Sequence, residues 1–323
     1  MVVKTIDTSV PHPWLVSLPD RSIGDRFQLL GPLARGGSAE VYRARDLDTG
    51  DVVALKLLRP ELRSDPTHRA QLLQEARVSA SLPLGVAPTP VCTGDDTALG
   101  AFYAMELVDA EPLSTRIARA VMSFDEVARV AESLVRAVSA VHAAGYVHCD
   151  VKPANVLWSE ERGLRLIDFG VACAVAPRAT ETDGLFGTPG YMAPEQFHGA
   201  DSTASDQFGI AATIFACLVG CAPYTVGRGA RPLCTLLLHQ GVELTPRESG
   251  ALGRLGPWVA RAMRVDPLDR YTDTADMAAA LVRMTPSRSR FRVTWSAGRI
   301  AARSASALLV ALAALIVFVG ANH

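Results

Sequence analysis

Tyr146-Val147-His148-Cys149-Asp150-Val151-Lys152-Pro153-Ala154-Asn155-Val156-Leu157, followed by Ile167-Asp168-Phe169-Gly170, carries the fold of this 323-residue chain. Two carboxylates (Asp150, Asp168), a lysine (Lys152) and a carboxamide (Asn155) stand at fixed offsets on short turns between apolar, strand-like runs. Phosphoryl transfer calls for that set. One carboxylate orients a hydroxyl and accepts its proton, a lysine neutralises the moving phosphate, and an amide oxygen with a second carboxylate holds Mg²⁺. Each residue alone has a plainer explanation, since Asp and Asn are common in loops. The ordered string does not.

The totals exclude several classes. A content of 49% hydrophobic residues allows one large or two modest domains with a real core. A net charge of −1 gives no whole-protein pull toward nucleic acid, which is not expected as a partner. The cysteines (Cys92, Cys149, Cys173, Cys217, Cys221, Cys234) form no C-x-x-C pair and no metal spacing with the histidines. Buried, reduced thiols are expected rather than zinc or disulfides. Residues 1–26 carry Pro11, Pro13 and Pro19 with no apolar run behind a basic start. They read as a flexible leader without a secretory signal.

Upstream of the central stretch, Phe27 to Leu33 reads as a strand, Ala34 to Ala39 as a turn and Glu40 to Ala44 as a returning strand. Such a hairpin of small residues lets backbone N–H groups approach phosphate oxygens. Val52 to Leu58 is a further strand, with Lys56 its one charge between apolar neighbours Ala54 and Leu58 on the same face. A lysine buried there needs a partner. The helix from Thr67 to Leu82, opened by Ser64-Asp65-Pro66, offers Glu75 beside a stripe of Leu72, Leu73, Ala76 and Ala80. Leu99 to Val108 is a strand running into an extended link. From Ser123 to His142, Val127, Val130, Leu134, Val135, Val138 and Val141 recur at helical spacing. Gly145 ends that helix. The apolar helix from Ser205 to Leu218 is long enough for a core and too short for a bilayer.

The strings Asp150-Val151-Lys152-Pro153-Ala154-Asn155, Asp168-Phe169-Gly170, Val53-Ala54-Leu55-Lys56 and Gly187-Thr188-Pro189-Gly190-Tyr191-Met192-Ala193-Pro194-Glu195 resemble those of the eukaryotic-type (Hanks-type) protein kinases, the bacterial ones in particular. Arg264-Val265-Asp266-Pro267-Leu268-Asp269-Arg270 is similar to a further element of that family, and the resemblance covers residues 27–285. It implies an α+β, two-lobed kinase-like fold. A small antiparallel β lobe with one helix spans 27–105 and a larger, mainly α lobe spans 106–285. It implies ATP with Mg²⁺ (or Mn²⁺) as cofactors and protein hydroxyls as acceptors, Ser or Thr because Lys152 stands two residues after Asp150.

The resemblance further implies Asp150 and Lys152 as catalytic residues, with Asn155 and Asp168 on the metal. Leu33, Gly36, Val41, Ala54, Lys56, Glu75, Met105, Glu106, Val108 and Leu157 are the implied nucleotide site. There Lys56 pairs with Glu75, Met105 is the gatekeeper, backbone groups of Glu106 and Val108 meet the adenine edge, and Leu157 is its floor. Thr188 should face Asp150, Asp206 should cap the catalytic-loop backbone, and Arg270 should bury against Glu195. Thr180 and Thr182 are the expected autophosphorylation sites. Two departures stand out. Ala34 and Ala39 occupy the first and third glycine positions of the hairpin, and Cys149 stands where the family has an arginine that meets an activation-loop phosphate. Cysteine has no such charge, so no dependence on that contact is expected. Both departures also suit the alternative of an ATP-binding pseudokinase scaffold. The presence of Lys56, Glu75, Asp150, Asn155 and Asp168 favours the enzyme. The 187–195 string, a peptide-docking surface, disfavours a small-molecule phosphotransferase.

Beyond that domain, Arg288, Arg290, Arg292, Arg299 and Arg303 crowd a linker over 286–304. Residues 305–321 then carry no charge for roughly 17 positions, which reads as one transmembrane helix. Arginines precede it and no Lys or Arg follows, so a single-pass membrane anchor with the preceding domain in the cytoplasm is expected. The anchor leaves room for a dimer.

Overall fold

The computed structural model describes residues 4–5, 22–175, 187–224 and 244–284. The expected phosphosites Thr180 and Thr182, the 286–304 linker and the 305–321 helix lie outside the described residues.

Alternation decides the smaller lobe. Strands β1 (Lys4–Thr5), β2 (Ser22–Ile23), β3 (Phe27–Arg35), β4 (Ala39–Asp46) and β5 (Val52–Leu58) precede helix α1 (Pro66–Ser81), and β6 (Pro90–Asp96) and β7 (Gly100–Glu106) follow it. They form one antiparallel sheet in the order β1-β3-β4-β5-β7-β6, with β2 also paired to β3. Successive side chains of a strand point to opposite faces. Val53, Leu55 and Leu57 thus join Ile23, Phe27, Tyr42 and Phe102 on one face. Ala54 and Leu58 join Leu72 and Ala76 of α1, with Tyr103 and Met105, on the other. Lys56 belongs to this second face, the one that α1 covers.

The structure differs from the sequence expectations here in three places. Strand β2 precedes the expected first strand: Ile23 is fully buried and the Gly24 N–H donates to Asp96 at 3.1 Å. On α1 the inward stripe is turned from the one expected: Ala80 is exposed and Leu73 half-buried, while Glu75, Val78 and Ser79 are buried with Leu72 and Ala76. Strand β6 was not anticipated. The start of α1 is the one the sequence implies: Asp65 accepts the N–H groups of Thr67 and His68 at 2.8 and 3.3 Å, ahead of Pro66.

The larger lobe runs β8 (Glu111–Pro112), α2 (Leu113–Arg119), α3 (Phe124–Ala143), β9 (Tyr146–Val147), β10 (Val156–Ser159), β11 (Gly163–Leu166), β12 (Cys173–Ala174), α4 (Thr203–Val219), α5 (Pro246–Leu252), α6 (Gly256–Ala262) and α7 (Thr274–Met284). All six apolar positions expected to face inward on α3 are buried. Every residue of α4 from Ser205 to Leu218 is buried, which makes this helix the centre of the lobe; α2, α3, α5, α6 and α7 pack around it. A helix apolar on all sides is either a core helix or a membrane span. Among the described residues, none is long and apolar enough to cross a membrane.

Arg270 closes the lobe from below. Its side chain is completely buried, bonds both oxygens of Glu195 at 2.6 and 2.8 Å, and donates to the carbonyls of Arg264, Ala204 and Val265. Its guanidinium also lies 5.3 Å from the Phe208 ring centroid. Breaking one side of such a pair strands the other charge in a dry site. Arg270→Ala is expected to cost about 3–5 kcal/mol, read as a lowered denaturant midpoint.

Candidate active site

Helix α4 is the floor on which the central loop rests. After α3, Gly145 turns the chain at φ +87°, and Cys149 follows at φ +67°, a left-handed conformation that costs a non-glycine residue about 1–3 kcal/mol. Asp206 holds it there. Its carboxylate accepts the N–H groups of His148 and Cys149 at 2.8 and 2.9 Å, and His142 Nε2 lies 2.8 Å from the same group. One turn on, a Cβ at Gly209 would stand 2.9 Å from the Val151 carbonyl oxygen, so only glycine lets helix and loop approach this closely.

That support gathers the loop's polar side chains. Asp150 Oδ2 accepts from Lys152 Nζ at 2.5 Å and from Asn155 Nδ2 at 3.0 Å, and Asn155 Nδ2 also donates to the Asp150 carbonyl. Lys152 Nζ donates to Thr188 Oγ1 at 2.7 Å. Thr188 of the docking string therefore reaches Asp150 through the lysine. Asn155 commits its amino group to Asp150, which leaves its carbonyl oxygen facing the other way.

A second cluster lies across the cleft. Lys56 Nζ donates to Glu75 of α1 and, at 3.1 Å, to Asp168 Oδ1. Burial alone would pull the Lys56 ammonium down, but the charges of Asp168 and Glu75 and their hydrogen bonds push it above its ordinary range. The Lys56 charge holds the Asp168 carboxyl below the usual carboxylate range, against the pull of burial. Glu75 is pushed upward by burial, with Lys56 opposing. Asp168 is left-handed at φ +69° and is followed by Phe169, which is fully buried with its ring 4.7 Å from that of His148. The buried ring fixes the turn that presents the carboxylate.

Around this cluster, Leu33, Val41, Ala54, Met105 and Leu107 come together in one apolar group on the α1 face of the sheet. Glu106 donates its N–H to the Thr89 carbonyl at 2.8 Å, and its carboxylate accepts from Thr89; the Val108 carbonyl accepts from Ala110. Leu157, half-buried on β10, is not part of that apolar group; it pairs with Arg165 and Pro112 in the lower lobe's small sheet. The hairpin is tight: Gly36 N–H donates to Ala39 O at 2.7 Å, and Arg59 bonds the Gly37 carbonyl. Ala34 and Ala39 adopt no positive φ, so neither position demands glycine for its backbone. Buried Glu40 tightens the stem by bonding Tyr42 at 2.7 Å and Arg35 at 3.2 Å.

Sequence reasoning missed the partners of Cys149. Pairing of β9 with β12 brings Cys173 beside it, with 3.4 Å between sulfurs, and both thiols are buried. The hydrogen bond with Cys173 and then burial push the Cys149 thiol far above its ordinary range, which suppresses the reactive thiolate. It also missed Gln196, which reaches back to the Cys149 carbonyl. Neither carries a sequence signal, since the two cysteines lie far apart in the chain and a glutamine is common anywhere.

The Lys56–Asp168 contact has a measurable sign. A carboxyl held low in the folded state adds stability above the ordinary carboxylate range and loses it as pH falls through the depressed value. Lys56→Met removes the largest depressing charge and leaves burial opposed only by the smaller influences of Lys152 and His148. The Asp168 carboxyl is then expected to titrate at higher pH than in wild type, by carboxyl-carbon NMR.

Comparison with known proteins agrees with this geometry. The protein kinase domain family matches residues 27–246. Serine/threonine-protein kinase PknB of Mycobacterium tuberculosis is 32% identical over 273 residues, covering 81% of this chain and 43% of that protein. Serine/threonine-protein kinase PknD of the same organism is 31% identical over 260 residues, covering 79% of this chain and 39% of its own. The chain thus spans less than half the length of these curated relatives. The crystal structure of the M. tuberculosis PknI kinase domain superposes with a TM-score of 0.64 at 23% identity, over 82% of this chain and 98% of that one, and shares the fold. A family match over most of the described lobes, joined to a lysine, two aspartates and an asparagine gathered as phosphoryl transfer requires, places the chain in the protein kinase family.

Proposed function

We propose that this chain is a serine/threonine protein kinase that moves the γ-phosphate of ATP to protein hydroxyls and is held at a membrane by residues 305–321. The observation that carries the proposal is the convergence of Asp150, Lys152 and Asn155 with Thr188 on one side and of Lys56, Glu75 and Asp168 on the other. The printed names of PknB and PknD agree with it.

The roles are those that the family resemblance implies, and the contacts support them. Leu33, Val41, Ala54 and Met105 offer a flat purine an apolar slot, with the Glu106 and Val108 backbone at its edge and Leu157 as its floor. Lys56, kept charged by two carboxylates, takes the phosphates nearest the base. Asp150, held by Lys152 and Asn155, orients the acceptor hydroxyl and receives its proton. Lys152 neutralises charge on the group in transit. The Asp168 carboxylate and the Asn155 carbonyl oxygen are hard donors of the kind Mg²⁺ takes, alongside substrate phosphates. An ion held there would supply charge neutralisation to the transferring phosphate. Autophosphorylation at Thr180 or Thr182, cytoplasmic placement of the 27–285 domain and pairing through the anchor complete the proposal; they rest on the sequence.

The experiment incubates the full chain with labelled ATP and Mg²⁺ beside Asp150→Asn and Asp168→Ala. Label is expected on Ser or Thr of the protein or of a generic substrate. Asp150→Asn should lower transfer by about 10²–10⁴-fold, and Asp168→Ala should abolish it. ATP binding with no transfer by wild type would instead establish the scaffold. Removing residues 286–323 is expected to shift the protein from the membrane to the soluble fraction, and retention there would sink the anchor.

A further inference from the structure

Gln196 directly follows the docking string, yet its side chain is buried. Its Oε1 accepts the Ala193 N–H at 2.9 Å, and its Nε2 donates to the Cys149 carbonyl and to Asp201 Oδ1, each at 2.9 Å. The Cys149 residue is thereby held from two elements. Asp206 of α4 takes its N–H at 2.9 Å, and Gln196 of the docking segment takes its carbonyl. Cys149 is one of the few non-glycine residues at positive φ, and the next residue is Asp150. Backbone in that conformation persists only where its surroundings hold it. Rotation of the peptide between Cys149 and Asp150 would swing the carboxylate away from Lys152 and Asn155. The Cys149 side chain contributes no charge to this restraint, because it turns into the niche shared with Cys173, Val147 and Val171.

We propose that Gln196 is a positioning residue that couples the docking segment to the catalytic loop, fixing Asp150 through the Cys149 carbonyl when the segment is seated as seen here. The inference rests on the kinase reading and deepens it. Loop order is set by an uncharged amide on the segment that receives the substrate, and a charge on the activation loop is not required for it. Gln196 touches neither nucleotide nor acceptor and acts only through Cys149.

The test compares the full-length wild type with Gln196→Leu and with Asp201→Ala. The first keeps bulk without hydrogen bonds. The second removes one partner of Gln196 and spares its bonds to Cys149 and Ala193. Gln196→Leu is expected to lower kcat by about 10- to 100-fold, the scale of a small misplacement of a reacting group, with KM for ATP within about twofold. Amide hydrogen exchange should quicken at residues 148–152, and Asp201→Ala should stay within about twofold of wild type. Three results would overturn the coupling: wild-type kcat in Gln196→Leu, an equal loss in Asp201→Ala, or a rise in KM for ATP in step with the fall in kcat. If the wild type transfers no phosphate, the kinase reading itself fails. Hydrogen exchange then decides the coupling, which unchanged protection at 148–152 in Gln196→Leu would refute.

Discussion

One buried carboxylate governs the arrangement of the larger lobe. Asp206 is almost fully inaccessible and sits at the start of a helix that is itself enclosed, so an unsatisfied charge there would be intolerable. Its requirement for donors is met by two backbone N–H groups and a histidine, and meeting it forces the preceding loop into a left-handed turn. The placement of Asp150, Lys152 and Asn155 follows from that turn. Core packing of α4 and the geometry of these polar groups are therefore one constraint, transmitted through Asp206 and through the glycine that lets the loop lie against the helix.

The smaller lobe answers to a matching constraint of opposite sign. Lys56 stands on a sheet face otherwise made of aliphatic and aromatic side chains, and two carboxylates from different elements converge on it. One comes from α1 and one from the turn after β11, so the lysine ties the sheet, its helix and the lower lobe's turn at a single atom. A change in the seat of α1 would reach Asp168 through this lysine as well as the core through Leu72, Ala76 and Val78.

Much of this was legible in the sequence, for a physical reason. The central stretch demands specific residue types at each offset, and α3 repeats six apolar positions that each prove buried. Lys56 was legible because a charge inside an aliphatic strand needs partners. The stripe of α1 was misjudged because Glu75, polar by type, lies in the core where Lys56 neutralises it, and this moves the inward face toward Val78 and Ser79. Strand β6 was hidden by its composition. Gly94, Asp95 and Asp96 argue for a turn, yet β6 is a sheet edge that tolerates them. Asp96 is buried as the acceptor for Gly24, Ala98 and Leu99. That acceptor also ties the turn after β2 to the end of β6. Contacts such as Cys149 with Cys173, or with Gln196, join distant positions through common residues, and no local pattern announces them.

The paired thiols bear on how such a site can change over time. Cys149 occupies a niche bounded by Cys173, Val147 and Val171, with only 3.4 Å between sulfurs. A longer side chain at 149 would press on Cys173 unless it left that niche, and a charge placed there would feel the carboxylates of Asp206 and Asp201. Any longer side chain at 149 therefore has to fit the space that Cys173 leaves. The two positions form one packing unit, so that a change of side chain at either is felt at the other.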